Sequence, residues 1–201
     1  GTDAMSAIGL YSPINSFFLA LNTMMMGGSL IICGKYMGRH EISGMQNVFS
    51  VNIMVSLLVS VAASLVFFAA GILDLTGMFT SDAAIRGYFN QYLIGRAVGI
   101  VPQVIGQQLS GFLSLENKNK LTTVASIVYI LTNLALDYLF VAVLRMEAFG
   151  LALATSLGLW VFAGVQILYY IRGKSLLRLQ FRKIRWKEFT EIFKIGAPGA
   201  L

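Results

Sequence analysis

A single cysteine and a single histidine stand among 201 residues. Cys33, near the end of an apolar block, can close no intrachain disulfide and reads as a small buried hydrophobe. His40 lies between Arg39 and Glu41 in a polar loop, and a metal site there would need partners that the chain lacks. An integral membrane enzyme would need a nucleophile beside a base, or a cluster of metal ligands. No histidine falls in an apolar block and no such cluster is visible. Charge is scarce as well: 12% of the residues are Asp, Glu, Lys or Arg, against about 25% in a soluble domain. An initiator methionine and a signal peptide are also missing, because the chain opens on Gly1-Thr2-Asp3-Ala4.

What the chain has in excess is apolar length. Hydrophobic residues make up 57% of it, and the mean hydropathy is +0.74. Five apolar blocks stand out, at about Ile8–Ile32, Val48–Ile72, Tyr88–Leu115, Leu121–Val143 and Phe149–Ile171. Each reaches the roughly 20 residues that a helix needs to cross the hydrocarbon. Barrel strands are short and alternating, whereas these blocks are long and continuous, so they predict helices. The fold class is therefore all-α, a polytopic membrane bundle of about five transmembrane helices, embedded in the lipid bilayer.

Basic residues fix the orientation. The formal net charge is +6. Lys35, Arg39 and His40 follow the first block, Lys118 and Lys120 the third, and Arg172, Lys174, Arg178 and Arg182 the fifth. The other two connections hold fewer cations, so the positive-inside rule places Lys35, Lys118 and Arg172 in the cytoplasm and Gly1 outside. No basic face carries interleaved aromatics for base stacking, which argues against a nucleic-acid partner. Residues 1–171 read as one transmembrane bundle. Residues 172–194 read as a cytoplasmic or interfacial linker, partly helical, with Trp186 at headgroup level. Residues 195–201, ending in Gly196-Ala197-Pro198, read as the start of a further membrane helix. The chain thus reads as part of a longer polypeptide.

The third block is soft. It holds Gly95, Gly99, Pro102, Gly106 and Gly111 together with Gln103, Gln107 and Gln108. The glycines let neighbouring helices approach, Pro102 permits a kink, and the glutamines suggest a face toward a polar cavity.

Two charged side chains fall within the apolar blocks, Arg96 and Asp137. Each costs roughly 2.5–3.5 kcal/mol at membrane depth on insertion scales, which marks both as functional. Asn133 and Asp137 are four residues apart and share a helix face. Counted from their outer ends at 1.5 Å rise, Asp137 and Thr155 both lie roughly 9 Å deep on antiparallel neighbours, so the three can meet. A carboxylate, an amide oxygen and a hydroxyl suit a small hard cation or a titrating proton. Two other readings stay open: Arg96, roughly 12 Å deep, as the ion-pair partner of Asp137, or the polar trio as packing glue.

The residues that carry these features resemble a known family. Gly1-Thr2-Asp3-Ala4-Met5-Ser6, Gly34-Lys35-Tyr36-Met37-Gly38-Arg39, Asn133-Leu134-Ala135-Leu136-Asp137-Tyr138 and Gly150-Leu151-Ala152-Leu153-Ala154-Thr155 are similar, in order and spacing, to the amino-terminal lobe of the multidrug and toxic compound extrusion (MATE) transporters. The resemblance implies family helices two to six, with the seventh just starting and the first absent. It implies a multi-pass protein of the cell membrane, monomeric in its full-length form and without a cofactor. It further implies export of drugs or toxic organic cations by alternating-access antiport with Na+ or H+. The cation site it implies is formed by Asn133, Asp137 and Thr155, with Tyr92 as a neighbour. A lipid-linked sugar flippase of the same wider superfamily is the alternative.

Overall fold

The computed structural model describes residues 2–173, 175–180 and 184–199. Five long helices follow one another: α1 (Thr2–Gly38), α2 (Ile42–Ile72), α3 (Ala83–Leu115), α4 (Asn119–Asp137) and α5 (Glu147–Ile171). A shorter α6 (Lys187–Gly196) closes the chain. No strand occurs among the described residues.

Short turns make the long helices antiparallel. His40 between α1 and α2, and Asn117 between α3 and α4, adopt the left-handed backbone at φ 55° and 56°, which reverses the chain within a few residues. At the opposite end, Asp82 caps α3 by accepting from the amides of Ala84 at 2.9 Å and Ile85 at 3.3 Å. An ion pair between Arg86 and Asp74, 3.2 Å apart, holds the loop beside it.

Four of the helices are long and apolar enough to cross a membrane by themselves: α1, α2, the span Asn119–Val143 and α5. The sequence predicts five. The helix outside that count is α3, whose glycines, glutamines and Arg96 lower its hydropathy. It is nevertheless the hub of the bundle, touching α1, α2, α4 and α5. A helix wrapped by protein needs little apolar surface of its own.

The contact of α3 with α5 is built on small residues. A Cβ at Gly95 would come within 2.6 Å of the Ala152 side chain, and one at Gly99 would strike Ser156. The hydroxyl of Ser156 donates to the Gly95 carbonyl at 2.7 Å. Pro102 lies within a continuous α3 and removes the amide that would serve the Val98 carbonyl. The Trp160 indole Nε1 of α5 supplies the substitute donor, at 2.9 Å.

Two apolar clusters lie at the two ends of the bundle. One gathers Tyr11, Phe67, Phe89 and Leu93, the other Met25, Phe49, Phe112 and Ile192. A buried polar knot stands among α1, α2 and α3. The Asn52 amide donates to Ser29 at 2.8 Å and to Gln108 at 2.9 Å, and the Gln108 amide donates to the Asn22 side chain at 3.1 Å. Where no water competes, such bonds tie helices that hydrophobicity alone cannot sort.

The segment after α5 is helical only in part, from Lys187 onward. Among the described residues, 175–180 are not helical. They are bonded to the amino-terminal part of α2 and the carboxyl-terminal end of α3: the Leu176 amide donates to Glu116 at 2.9 Å, Gln46 to the Leu176 carbonyl at 3.1 Å, and the Gln180 amide to Ser50 at 2.8 Å. Leu177 and Ile192 are buried, while Trp186 is 55% exposed. Helix α6 lies on α1 so closely that a Cβ on Gly28 or Gly196 would strike the opposing backbone. It also runs straight across position 194/195, where the sequence suggests that a linker gives way to a membrane helix.

Candidate functional site

The outer part of α4 changes geometry at Asp137. The α-helix ends there and continues as a π-helical turn, Tyr138–Val143. Single π turns within α-helices frequently mark functional positions. Only Ala125 of α4 is buried, and Leu134 and Tyr138 point outward, 67% and 69% exposed. Asp137, between them in sequence, is half-buried on the inner side. Its Oδ1 is shut off from solvent and accepts no hydrogen bond.

One turn before it, the Asn133 amide reaches the Thr155 hydroxyl across to α5 at 3.5 Å. Thr155 in turn donates to the Leu151 carbonyl at 3.0 Å, within its own helix. The predicted neighbourhood of α4 and α5 therefore forms, with Asn133 and Thr155 in touch and an unspent carboxylate oxygen one turn away. Carboxylate, amide and hydroxyl oxygens are the donor set of a hard monovalent cation or a proton.

Arg96 is elsewhere engaged, which corrects the ion-pair reading. The one salt bridge among the described residues is Arg86–Asp74. The Arg96 guanidinium lies over the Tyr11 ring, 5.3 Å from its centroid, and Nη2 donates to Gln103 Oε1. The Gln103 amide passes the chain on to Asn15 of α1 at 3.3 Å. Tyr92 makes an edge contact with Tyr11 at 5.3 Å and lies within electrostatic reach of both Arg96 and Asp137.

Tyr92, Arg96, Gln103, Gln107 and Thr155 line one cavity of about 580 Å3 between α1, α3, α4 and α5. Two of the three glutamines of the soft block thus face the cavity, and Gln108 is spent in the buried knot. Asn133 and Asp137 are not among the lining residues described, and Asn133 is bonded to one that is, Thr155. Sequence reasoning missed Tyr11 and Asn15, which α1 contributes to the cavity. Their signal was present: Tyr11, Ser12 and Asn15 are polar positions within about one turn of the first block.

A bundle of long apolar helices with a half-polar cavity between them, and an acid within an apolar span, defines a polytopic helical membrane protein. The chain belongs to the MatE family, whose model matches residues 1–139. It is 25% identical to "Probable multidrug resistance protein NorM" of Streptococcus pneumoniae over 203 residues, covering 96% of this chain and 44% of that protein. It is 26% identical to the protein of the same name from Neisseria meningitidis over 141 residues, covering 66% and 30%. Among solved structures, an inward-facing multidrug resistance MATE family transporter of the MOP superfamily superposes with TM-score 0.87, and an outward-facing one with 0.88, each at 20% identity. All of this chain is covered in both, against 46% and 45% of theirs. The chain therefore spans less than half the length of these relatives. It is a multi-pass protein of the cell membrane.

Proposed function

We propose that this chain is the amino-terminal lobe of a secondary transporter that exports drugs or toxic organic cations by antiport with Na+ or H+. The observation that carries the reading is the Asp137 carboxylate, with one oxygen buried and unbonded at the start of a π turn, one turn from the Asn133–Thr155 contact. A carboxylate held this way has few means of satisfying its charge except a cation or a proton. Both would compete for the same oxygen, and occupancy would bias the lobe between two packings. That competition is the coupling: the ion enters from outside as the drug leaves.

Alternating access is supported by the match of this lobe to an inward-facing and an outward-facing relative at nearly the same score. A lobe that keeps its internal arrangement can rock as a body against its counterpart. Organic cations are the substrate class that the family resemblance implies. The flippase alternative calls for several cations in the cavity, and Arg96 is the only charged residue among those described as lining it.

The test is drug efflux from proteoliposomes containing the full-length protein, under an imposed Na+ or H+ gradient. Asp137→Asn should insert normally and lose ion-driven export. Wild-type efflux from that variant under both gradients removes Asp137 from the mechanism.

A further inference from the structure

Arg96 is 4% exposed and sits in the wall of the 580 Å3 cavity. Only Nη2 has a hydrogen-bond partner, Gln103; Nε and Nη1 are buried and have none. The Tyr11 ring beneath it offers a negative face but no acceptor for the remaining N–H groups. Among the described residues no carboxylate pairs with it, and a guanidinium at membrane depth without a counter-charge is among the costliest arrangements a protein can hold. The lining around it is built to receive something: Tyr92, Gln107 and Tyr129 are polar, while Leu159 and Phe162 supply an apolar wall.

We infer that this cavity binds an amphipathic organic molecule by an oxyanionic group, a carboxylate or phosphate, held by Arg96, with its apolar body against Leu159 and Phe162. The guanidinium geometry suits oxyanions, and two of its donor atoms are unspent. The inference rests on the transporter reading and departs from it in substrate class, replacing the organic cations that the resemblance implies with anions or zwitterions. A simple organic cation would be repelled from this cavity, whereas an anion or a zwitterion would be held.

The experiment is equilibrium binding to the full-length transporter in nanodiscs, with no ion gradient. The probes are two fluorescent aromatic amphipaths, identical except that one ends in a carboxylate and the other in a trimethylammonium group. The carboxylate probe should bind at least about tenfold more tightly to the wild type, roughly the effect of one charge-assisted hydrogen bond. Arg96→Gln should erase that preference and Arg96→Lys should keep most of it. Millimolar inorganic phosphate should leave the probe bound, because a free anion lacks the apolar contacts. Equal affinities on the wild type, an ammonium preference, or a carboxylate preference that survives Arg96→Gln would overturn the inference. Displacement by phosphate alone would do the same, assigning the site to a free anion. Since the readout needs no gradient, its failure is distinct from a failure of ion-driven export.

Discussion

The indole Nε1 of Trp160 lies 2.9 Å from the carbonyl oxygen of Val98, the very carbonyl that Pro102 leaves without a helical donor. In hydrocarbon no water can fill that gap, so a side chain from the next helix does. Trp160→Phe should therefore destabilise the protein by about 1 kcal/mol. In a Pro102→Ala background the amide of residue 102 returns to Val98, and the same Trp160→Phe change should cost markedly less. Thermal unfolding of the four purified full-length proteins closes the cycle. Equal costs in the two backgrounds would mean that the indole and the proline are not coupled.

The α3–α5 contact makes a second expectation. A methyl group at Gly99 would meet the Ser156 Cα at 2.8 Å, a backbone atom that cannot step aside. Gly99→Ala should push the helices apart, weaken the Ser156–Gly95 bond and cost roughly 1–3 kcal/mol. Gly164→Ala, with nothing within 4 Å of the new Cβ, should be neutral or mildly stabilising. Melting temperatures of the two variants decide it; comparable losses would show that the small-residue seam is not what sets the approach.

The neutral members of the candidate cation site should behave differently from Asp137. Asn133→Ala and Thr155→Ala each remove one uncharged ligand while the carboxylate stays. The apparent ion affinity should fall roughly tenfold, near the value of a bond to a charged group, with maximal export retained at saturating ion. Thr155→Ser keeps the hydroxyl and should stay close to wild type. Efflux rates against ion concentration give both quantities, and an unchanged ion dependence in the two alanine variants would take these residues out of the site.

Orientation is testable without transport. Ser81 lies in the loop beside Asp82, and Asn119 begins α4 at the end that carries Lys118 and Lys120. Single cysteines at these positions, in a Cys33→Ala background, should react with an impermeant thiol reagent from opposite sides, Ser81→Cys from outside. Reaction of both from the same side would break the helix count.

The helices and their order were legible in one dimension, because a span is set by the length of apolar sequence. Helix ends were less so. α1 extends to Thr2 and Gly38, beyond the block read as Ile8–Ile32, since backbone hydrogen bonding continues past the point where hydropathy falls. Spacing along two antiparallel helices put Asp137 and Thr155 at one depth with Asn133 one turn away; in the structure it is Asn133 that touches Thr155, at 3.5 Å.

The sequence by itself determined that the chain lives in lipid, that it crosses as helices, and that Arg96 and Asp137 are costly enough to need a reason. Those conclusions follow from counting apolar length and charge, and counting needs no neighbours. Only the tertiary structure decided what answers the charges. The rotation of α3 about its axis turned Arg96 toward Tyr11 and Gln103 rather than toward Asp137. It also buried Gln108 among Asn22 and Asn52, while Gln103 and Gln107 were left to the cavity. The physical reason is that hydropathy is a sum along the chain, whereas a hydrogen-bond partner is a matter of azimuth and close approach between helices. Those are set by where Gly95, Gly99 and the facing small residues of α5 let two backbones meet.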